Sequence, residues 1–272
     1  MPPIIQATIN GPFGRDRHPR VPVTCDEVRR DVAACTRAGA RSFHIHTRDA
    51  AGAESLSPAD VSRMVAAARR GAEDAGADVE IGLTTGAWIV PDLATRIGMI
   101  RDWADVDCAT VNISEEGFEH VMAAMLEAGI GVDAGIWAME DVRRFERSGF
   151  VRDVARVSVE LDTGPPYNLA GSPTVHAAAI HTALDDIGVT VPRLEHGDEE
   201  WTWPLVEDAF RRGWATRVGF EDSVFLPDGS TAADNAALVA AAAALRQNGT
   251  WFPSQDPEPK SATWRMPDAS GA

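Results

Sequence analysis

The sequence predicts a (β/α)₈ barrel, and three observations predict it. Eight short β-type runs are each followed by a helix-length segment, which is the pattern of parallel strands joined by right-handed crossovers. The chain has 272 residues, the usual size of one such barrel. The first loop, "INGPFG", has no G-x-G-x-x-G turn, which a doubly wound open sheet, the runner-up fold, would normally carry after its first strand.

The units follow in order. Residues 4–10, "IIQATIN", form the first β-type run, and a Pro- and Arg-rich loop leads to a helical pattern, "CDEVRRDVAACTRAGA", that ends at Gly39. "SFHIHTR" (42–48) alternates and reads as the second strand; the next helix opens on the Ser-Pro start signal of "SPADVSRM". "VEIGLTT" (79–85) precedes "PDLATRIGMIRDW", and "CATVNIS" (108–114) precedes "GFEHVMAAMLEAG". "GVDAGIW" (131–137) precedes "MEDVRRFERSG", and "ARVSVEL" (155–161) precedes "SPTVHAAAIHTALDDIG". "TVPRLEH" (190–196) precedes "TWPLVEDAFRRG", and "ATRVGFE" (215–221) precedes "TAADNAALVAAAAALRQNG". One catalytic barrel is therefore expected over residues 1–250. A proline-rich tail, 251–272, is expected to be an extended arm or loose.

Composition narrows the function classes. The net charge of −16 argues against nucleic acid and anionic membranes as partners. No run approaches the ~18–20 apolar residues of a membrane span. The start, "MPPIIQATIN", has no basic region followed by an apolar stretch, so no secretory leader is expected. Cys25, Cys35 and Cys108 are odd in number without metal-type spacing, which fits reduced thiols in a cytoplasmic protein.

Alternate residues of a strand share a face. On the second strand Ser42, His44, His46 and Arg48 share one face, while Phe43, Ile45 and Thr47 share the other. The apolar set suits the strand–helix interface, so the histidines point into the barrel. On the eighth strand Arg217, Gly219 and Glu221 share a face, and Asp222 follows at its end. The second and eighth strands both flank the first in a closed barrel. Their ends would bring His44, His46 and Glu221 to one point, a three-ligand catalytic metal site with an open position. Zn²⁺ is the first expectation, with another divalent transition metal possible. The bland alternative is a hydrogen-bonded histidine pair beside an internal Arg217–Glu221 ion pair. By the same parity Thr84, Thr110, Asn112 and Ser114, and Ser158, Glu160 and Asp162, face inward, as groups that could orient a small oxygenated ligand. Arg48 reads as an anchor behind the site. The acidic run "HGDEEW" (196–201), with Glu195 just before it, could hold a second metal but reads as solvated, and Trp201 and Trp203 read as packing on neighbours rather than roofing a pocket.

The stretches "AGARSFHIHTRD", "GLTTGA", "ATVNIS" and "RVGFEDSVF", with "HPRVPVTCDEV" before the first helix, resemble the β-keto acid cleavage enzyme family. That family's best-known activity is 3-keto-5-aminohexanoate cleavage. The resemblance covers about residues 4–245. It implies His44, His46 and Glu221 as Zn²⁺ ligands, Arg217 and Asp222 as a catalytic dyad, and Thr84, Thr110 and Asn112 as substrate-binding positions. It also implies a small-molecule β-keto acid and acetyl-CoA as substrates, acetoacetate and a new acyl-CoA as products of a retro-Claisen route, and a homotetramer. Four places depart from the family pattern. Phe13 stands where the aminohexanoate enzyme has an acidic residue, which argues against an amine-bearing substrate. Asp133 and Gly135 stand where relatives have glutamates, and "ELDTGPPYN" and "RLEHGDEEWTWP" replace Gly-rich loops. These departures imply a different substrate. The alternative they leave open is a CoA-independent metal-dependent lyase, a retro-aldolase or decarboxylase, on the same barrel.

Overall fold

Each strand supplies one apolar face and one polar face, and the closed barrel uses both. In the computed structural model, which describes residues 2–162, 164 and 169–248, eight parallel strands pair in sequence order and β8 closes on β1. The strands are β1 (Ile5–Thr8), β2 (Ser42–Ile45), β3 (Glu80–Thr84), β4 (Cys108–Asn112), β5 (Gly131–Ile136), β6 (Arg156–Leu161), β7 (Arg193–Gly197) and β8 (Ala215–Val218). The helices between and after them are α1 (Cys25–Ala38), α2 (Pro58–Asp74), α3 (Leu93–Arg101), α4 (Phe118–Glu127), α5 (Met139–Ser148), α6 (Pro173–Asp186), α7 (Thr202–Arg212) and α8 (Asn235–Asn248). The expected (β/α)₈ order is present. Most strands are shorter than the sequence runs because the run continues into a loop at the barrel mouth, whereas β6 and β7 begin later than their runs and β7 extends to Gly197. The tail expected over 251–272 lies outside the described residues.

Helix starts follow local chemistry. Thr24 and Glu27 form a capping box on α1, Ser57 caps α2 ahead of Pro58, and Asp92 caps α3. The outward strand residues Ile5, Ala7, Phe43, Ile45, Ile81, Leu83, Val157 and Val159 are fully buried beneath the helices. That interface is the main hydrophobic core.

The lower barrel interior is polar. Gln6 donates to Ser42 (2.9 Å), and Ser42 to Glu80 (2.6 Å). Arg156 donates to Glu80 (2.6 Å) and Asp133 (2.7 Å), and Ser158 to Asp133 (2.6 Å). The group is connected throughout, as a buried polar layer must be to avoid desolvation cost. It is the floor beneath the next layer up, because Gln6 pairs with Ser42 while Thr8 pairs with His44.

Behind the barrel mouth, Asn235 at the start of α8 joins three elements. Its Nδ2 donates to Ile9 O (2.8 Å) and Asp31 (2.7 Å), and its Oδ1 accepts from Phe220 N (2.8 Å). Burial pushes the Asp31 carboxyl up to about 7, against the Asn235 bond. The folded chain therefore holds a proton that the unfolded chain releases above about pH 4. This contribution to stability is complete below that pH and is lost as pH rises through about 7. Asp31→Asn is expected to flatten that loss, leaving the variant more stable than the parent by up to about 4 kcal/mol at pH 8. Urea unfolding at pH 4 and pH 8 checks this, and an equal pH dependence in the two proteins would refute it.

Candidate functional site

At the C-terminal mouth, β2 and the loop after it present two imidazoles side by side. His44 is in the strand, and His46 lies just beyond it. Asn10 extends the pairing there: its Nδ2 donates to His46 O (2.9 Å), and its Oδ1 accepts from His46 N (2.9 Å). Both histidines are buried, and their ring centroids are 5.2 Å apart.

The third group arrives by a turn rather than by strand alternation. β8 stops at Val218, and Gly219 lies so close to β1 that a Cβ there would stand 2.0 Å from Thr8 O. Asp222 N and Ser223 N then both donate to Gly219 O, at 3.0 and 2.9 Å. Coming off this turn, Glu221 and Asp222 both reach the barrel interior, although neighbours on a strand could not. Gly11 leaves room for Glu221: its φ is +57°, and a Cβ would meet Glu221 Cγ at 2.6 Å.

Glu221 Oε1 stands 3.5 Å from His46 Nε2 and 3.8 Å from His44 Nε2. The three ligand atoms lie within 4.8 Å of one another. His46 Nε2 and Glu221 Oε2 are buried without a hydrogen-bond partner among the described residues. The other side of the His46 ring is fixed, because Nδ1 bonds Glu54 at 2.6 Å and Glu54 in turn accepts from Trp88 Nε1 at 3.1 Å. The Nδ1–H tautomer leaves an Nε2 lone pair aimed at the common point, the arrangement that orients metal-binding histidines. Burial pushes His44 down to about 3, with Glu221 opposing, so its imidazole is neutral. Burial also works against ionising Glu221, but His44, Arg217 and His46 hold its carboxyl below the usual range. Burial opposes a proton on His46 but Glu221 and Glu54 favour one, so a divalent transition metal, which the neutral His44, the His46 ring and one carboxylate fit, would displace that proton. An ion pair does not absorb this set. Arg217 Nη2 does approach Glu221 Oε1 at 3.4 Å, yet Oε2 stays unpartnered.

Glu54 is reached by a tight hairpin. Asp49 Oδ1 accepts from Ala51 N (2.8 Å) and Ala53 N (3.0 Å), and Arg48 bridges to Glu54 across the turn. Arg48 also donates to Gly11 O and Phe13 O (2.5 and 2.9 Å), which makes it the expected anchor, here of the β1–α1 loop. Glu54→Gln is expected to weaken divalent-metal affinity by about 10–100-fold while leaving the fold intact. Competition with a chelator of known affinity measures it, and unchanged affinity would remove Glu54 from the site.

Arg217 holds Asp222 by two bonds to Oδ1 (3.2 Å from Nε, 2.8 Å from Nη2), and Thr8 donates to Oδ2 (2.7 Å). Burial raises the Asp222 carboxyl, and Arg217 only partly offsets it. A cavity of about 170 Å³ opens above His44, His46, Glu221 and Arg217, with Asp222 buried behind Arg217. Thr84, Thr110 and Asn112 line it, together with Phe13, Trp88, Trp137, Glu160 and Asp198. Thr110 Oγ1 is 3.4 Å from His44 Nδ1, and Asn112 Oδ1 accepts from Trp137 Nε1 at 3.3 Å.

One expectation is corrected. The "HGDEEW" run is not solvated as a block: Glu195 and His196 are fully buried, Asp198 is half-buried, and only Glu200 is exposed. β7 pairs with β6, with Glu160 opposite His196, and this pairing carries the run into the interior. Glu195 faces outward onto His181 (2.8 Å), and His196 faces inward. Trp201 packs in the core as expected, and Trp203 donates to Phe225 O (2.8 Å); the aromatic walls of the cavity are Phe13, Trp88 and Trp137 instead. Trp88 carries a signal only in hindsight, since it follows the "GLTTGA" strand end directly.

Residues 2–250 match the β-keto acid cleavage enzyme family. The chain belongs to that family. It is 23% identical over 252 residues to the 3-keto-5-aminohexanoate cleavage enzyme of Acetoanaerobium sticklandii, covering 87% of this chain and 88% of that protein. Its identity to the enzyme of the same name from Fusobacterium nucleatum is 22% over 256 residues, with the same coverage. Among solved structures, it superposes on a rubisco-like protein from Burkholderia fungorum with TM-score 0.58 at 16% identity, spanning 90% of this chain and 59% of that one. Tryptophan synthase from Mycobacterium tuberculosis gives TM-score 0.57 at 12% identity, over 91% and 94% of the two chains. These two likenesses are of fold alone. In this β-keto acid cleavage family member, the sequence departures at Phe13, β6 and β7 all reach the cavity, through Phe13, Glu160 and Asp198.

Proposed function

We propose that the chain cleaves a β-keto acid with acetyl-CoA as co-substrate, giving acetoacetate and the CoA ester of the remaining fragment. His44, His46 and Glu221 would hold the divalent metal, with Zn²⁺ the first expectation. The observation that carries this reading is the unpartnered, buried His46 Nε2 and Glu221 Oε2 at the base of the cavity, beside Arg217, which holds Asp222. A divalent ion there supplies Lewis-acid charge that acidifies a C–H next to a carbonyl.

The protein groups have separable tasks. Asp222 is the base for the α-proton. Its Oδ1 is occupied by Arg217, whereas Oδ2 carries the Thr8 bond and retains capacity to accept a proton. Arg217 fixes the carboxylate's direction and opposes the protonation that burial favours. Thr84, Thr110 and Asn112 orient the polar end of the substrate. Trp88, Trp137 and Phe13 limit water around the reacting carbon. Cys25, Cys35 and Cys108 are free thiols, which agrees with operation in the cytoplasm.

The test is a panel of β-keto acids incubated with acetyl-CoA, with acetoacetate and acyl-CoA quantified together. Equal amounts of both products are expected. Keto-acid consumption with no acyl-CoA would contradict the proposal and identify the CoA-independent lyase instead.

A further inference from the structure

His196 is a fully buried group that the site described above does not use. It is 0% exposed, and neither ring nitrogen has a hydrogen-bond partner among the described residues. An imidazole must carry at least one N–H, so leaving both nitrogens unpaired has a desolvation cost unless something else occupies the space between them and their neighbours. Carboxylates stand there, and on the Nδ1 side the nearest, Asp222 Oδ1, is 4.0 Å away and already held by Arg217. Glu160 Oε2 is 3.3 Å from His196 Nε2, and Asp198 Oδ1 is also buried without a partner. One ligand atom from each of Glu160, His196 and Asp198 lies within 4.8 Å of the others.

We infer that Glu160, His196 and Asp198 form a second divalent-cation site, separate from the one at His44, His46 and Glu221. The inference does not depend on the reaction assigned above.

The charges and the frame both favour it. Four carboxylates, Glu160, Asp198, Glu221 and Asp222, converge near one guanidinium. Arg217 Nη2 is 3.5 Å from Glu160 Oε1, 3.4 Å from Glu221 Oε1 and 2.8 Å from Asp222 Oδ1. Arg217 therefore takes Glu160 by one oxygen and leaves the other on His196. One divalent ion at the first site still leaves this cluster with more carboxylates than cations, and buried carboxylates must be paired, coordinated or protonated.

The loop that carries Asp198 is built rather than loose. Asp198 N donates to Leu161 O (3.1 Å), Glu199 N to Asp222 O (2.8 Å) and Thr202 Oγ1 to Gly197 O (2.7 Å). Arg17 grips the Glu199 carboxylate at 2.5 Å. These contacts fix the β6 and β7 ends against each other, the preorganisation a metal site needs. One imidazole with two carboxylates suits a divalent transition ion on the harder side, such as Mn²⁺, Co²⁺ or Zn²⁺. Glu160 and Asp198 line the catalytic cavity, so an ion held there faces it. A bound molecule with an oxyanion beyond the one at the first site is the ligand class this fits.

Equilibrium dialysis of the metal-free full chain against Co²⁺, followed by metal analysis, tests it. Two ions per chain are expected. His196→Ala and the near-isosteric Asp198→Asn should each leave one, His46→Ala should also leave one, and His46→Ala with His196→Ala should leave none. Circular dichroism and thermal unfolding check that each variant is folded; Asp198→Asn serves if His196→Ala is not. One ion in the parent that only His46→Ala removes overturns the second site and keeps the first. One ion that only His196→Ala removes keeps the second site and overturns the first. Two ions that neither His196→Ala nor Asp198→Asn lowers also overturn the second site, and no uptake overturns both.

Discussion

Asp222→Asn is expected to lower kcat by about 10²–10⁴-fold while leaving divalent-metal content and KM within a few-fold of the parent. The substitution keeps the shape of the side chain and a bond to Thr8, but it removes the oxygen that accepts the α-proton. Asp222 does not touch His44 or His46; its carboxylate is hydrogen-bonded by Arg217 and Thr8, and the imidazole nearest it is His196, at 4.0 Å. The metal should therefore stay while turnover goes. Steady-state kinetics on a cleaved β-keto acid, paired with metal analysis of the same preparation, separates the effects. A kcat within about threefold of the parent would remove Asp222 as the base, since a lost general base costs far more than that. Loss of metal together with turnover would show that Asp222 acts on the metal site instead.

The largest expected effect on stability lies below the site. Arg156→Met should destabilise the fold by about 3–5 kcal/mol. Arg156 is the cation between Glu80 (2.6 Å) and Asp133 (2.7 Å), and its removal strands the buried Asp133 and the part-buried Glu80 carboxylates in the barrel floor. Burial disfavours the Arg156 charge, yet Asp133 and Glu80 raise its pKa well above the ordinary value. The guanidinium is therefore charged at every accessible pH. Adding Glu80→Gln and Asp133→Asn to Arg156→Met should recover a large part of the loss, because the uncompensated charges are then gone. Urea unfolding of the single and triple variants checks both claims. A single variant within about 1 kcal/mol of the parent would mean that the floor is not held by this ion-pair set.

How far the sequence carried depends on which physical regularity places a residue. His44 and His46 obey strand parity, so a two-residue period was enough to aim them inward. The eight-unit order follows from helix and strand periods that recur along the whole chain. Glu221 and Asp222 were named from the strand-eight run, but they reach the site from the turn that begins at Gly219, and no local pattern encodes that turn. Glu54 sits eight residues beyond His46 on a hairpin held by Asp49. The Asp and Gly of "RDAAGAE" mark the turn, though not the return contact. His196 is the instructive case. Its parity, opposite to Glu195, was readable in "RLEHG", but the acidic neighbours made the run look solvated. Pairing with β6, a long-range contact, buries it against Glu160.

The central claim is that His44, His46 and Glu221 hold a catalytic divalent metal at the cavity base. Crystals of the full chain grown with Zn²⁺, with anomalous difference maps collected on either side of the zinc edge, test it most directly. An edge-dependent peak is expected about 2.0–2.2 Å from His44 Nε2, from His46 Nε2 and from a Glu221 carboxylate oxygen. A map without a peak at those three atoms, in protein that still cleaves its β-keto acid, would contradict it.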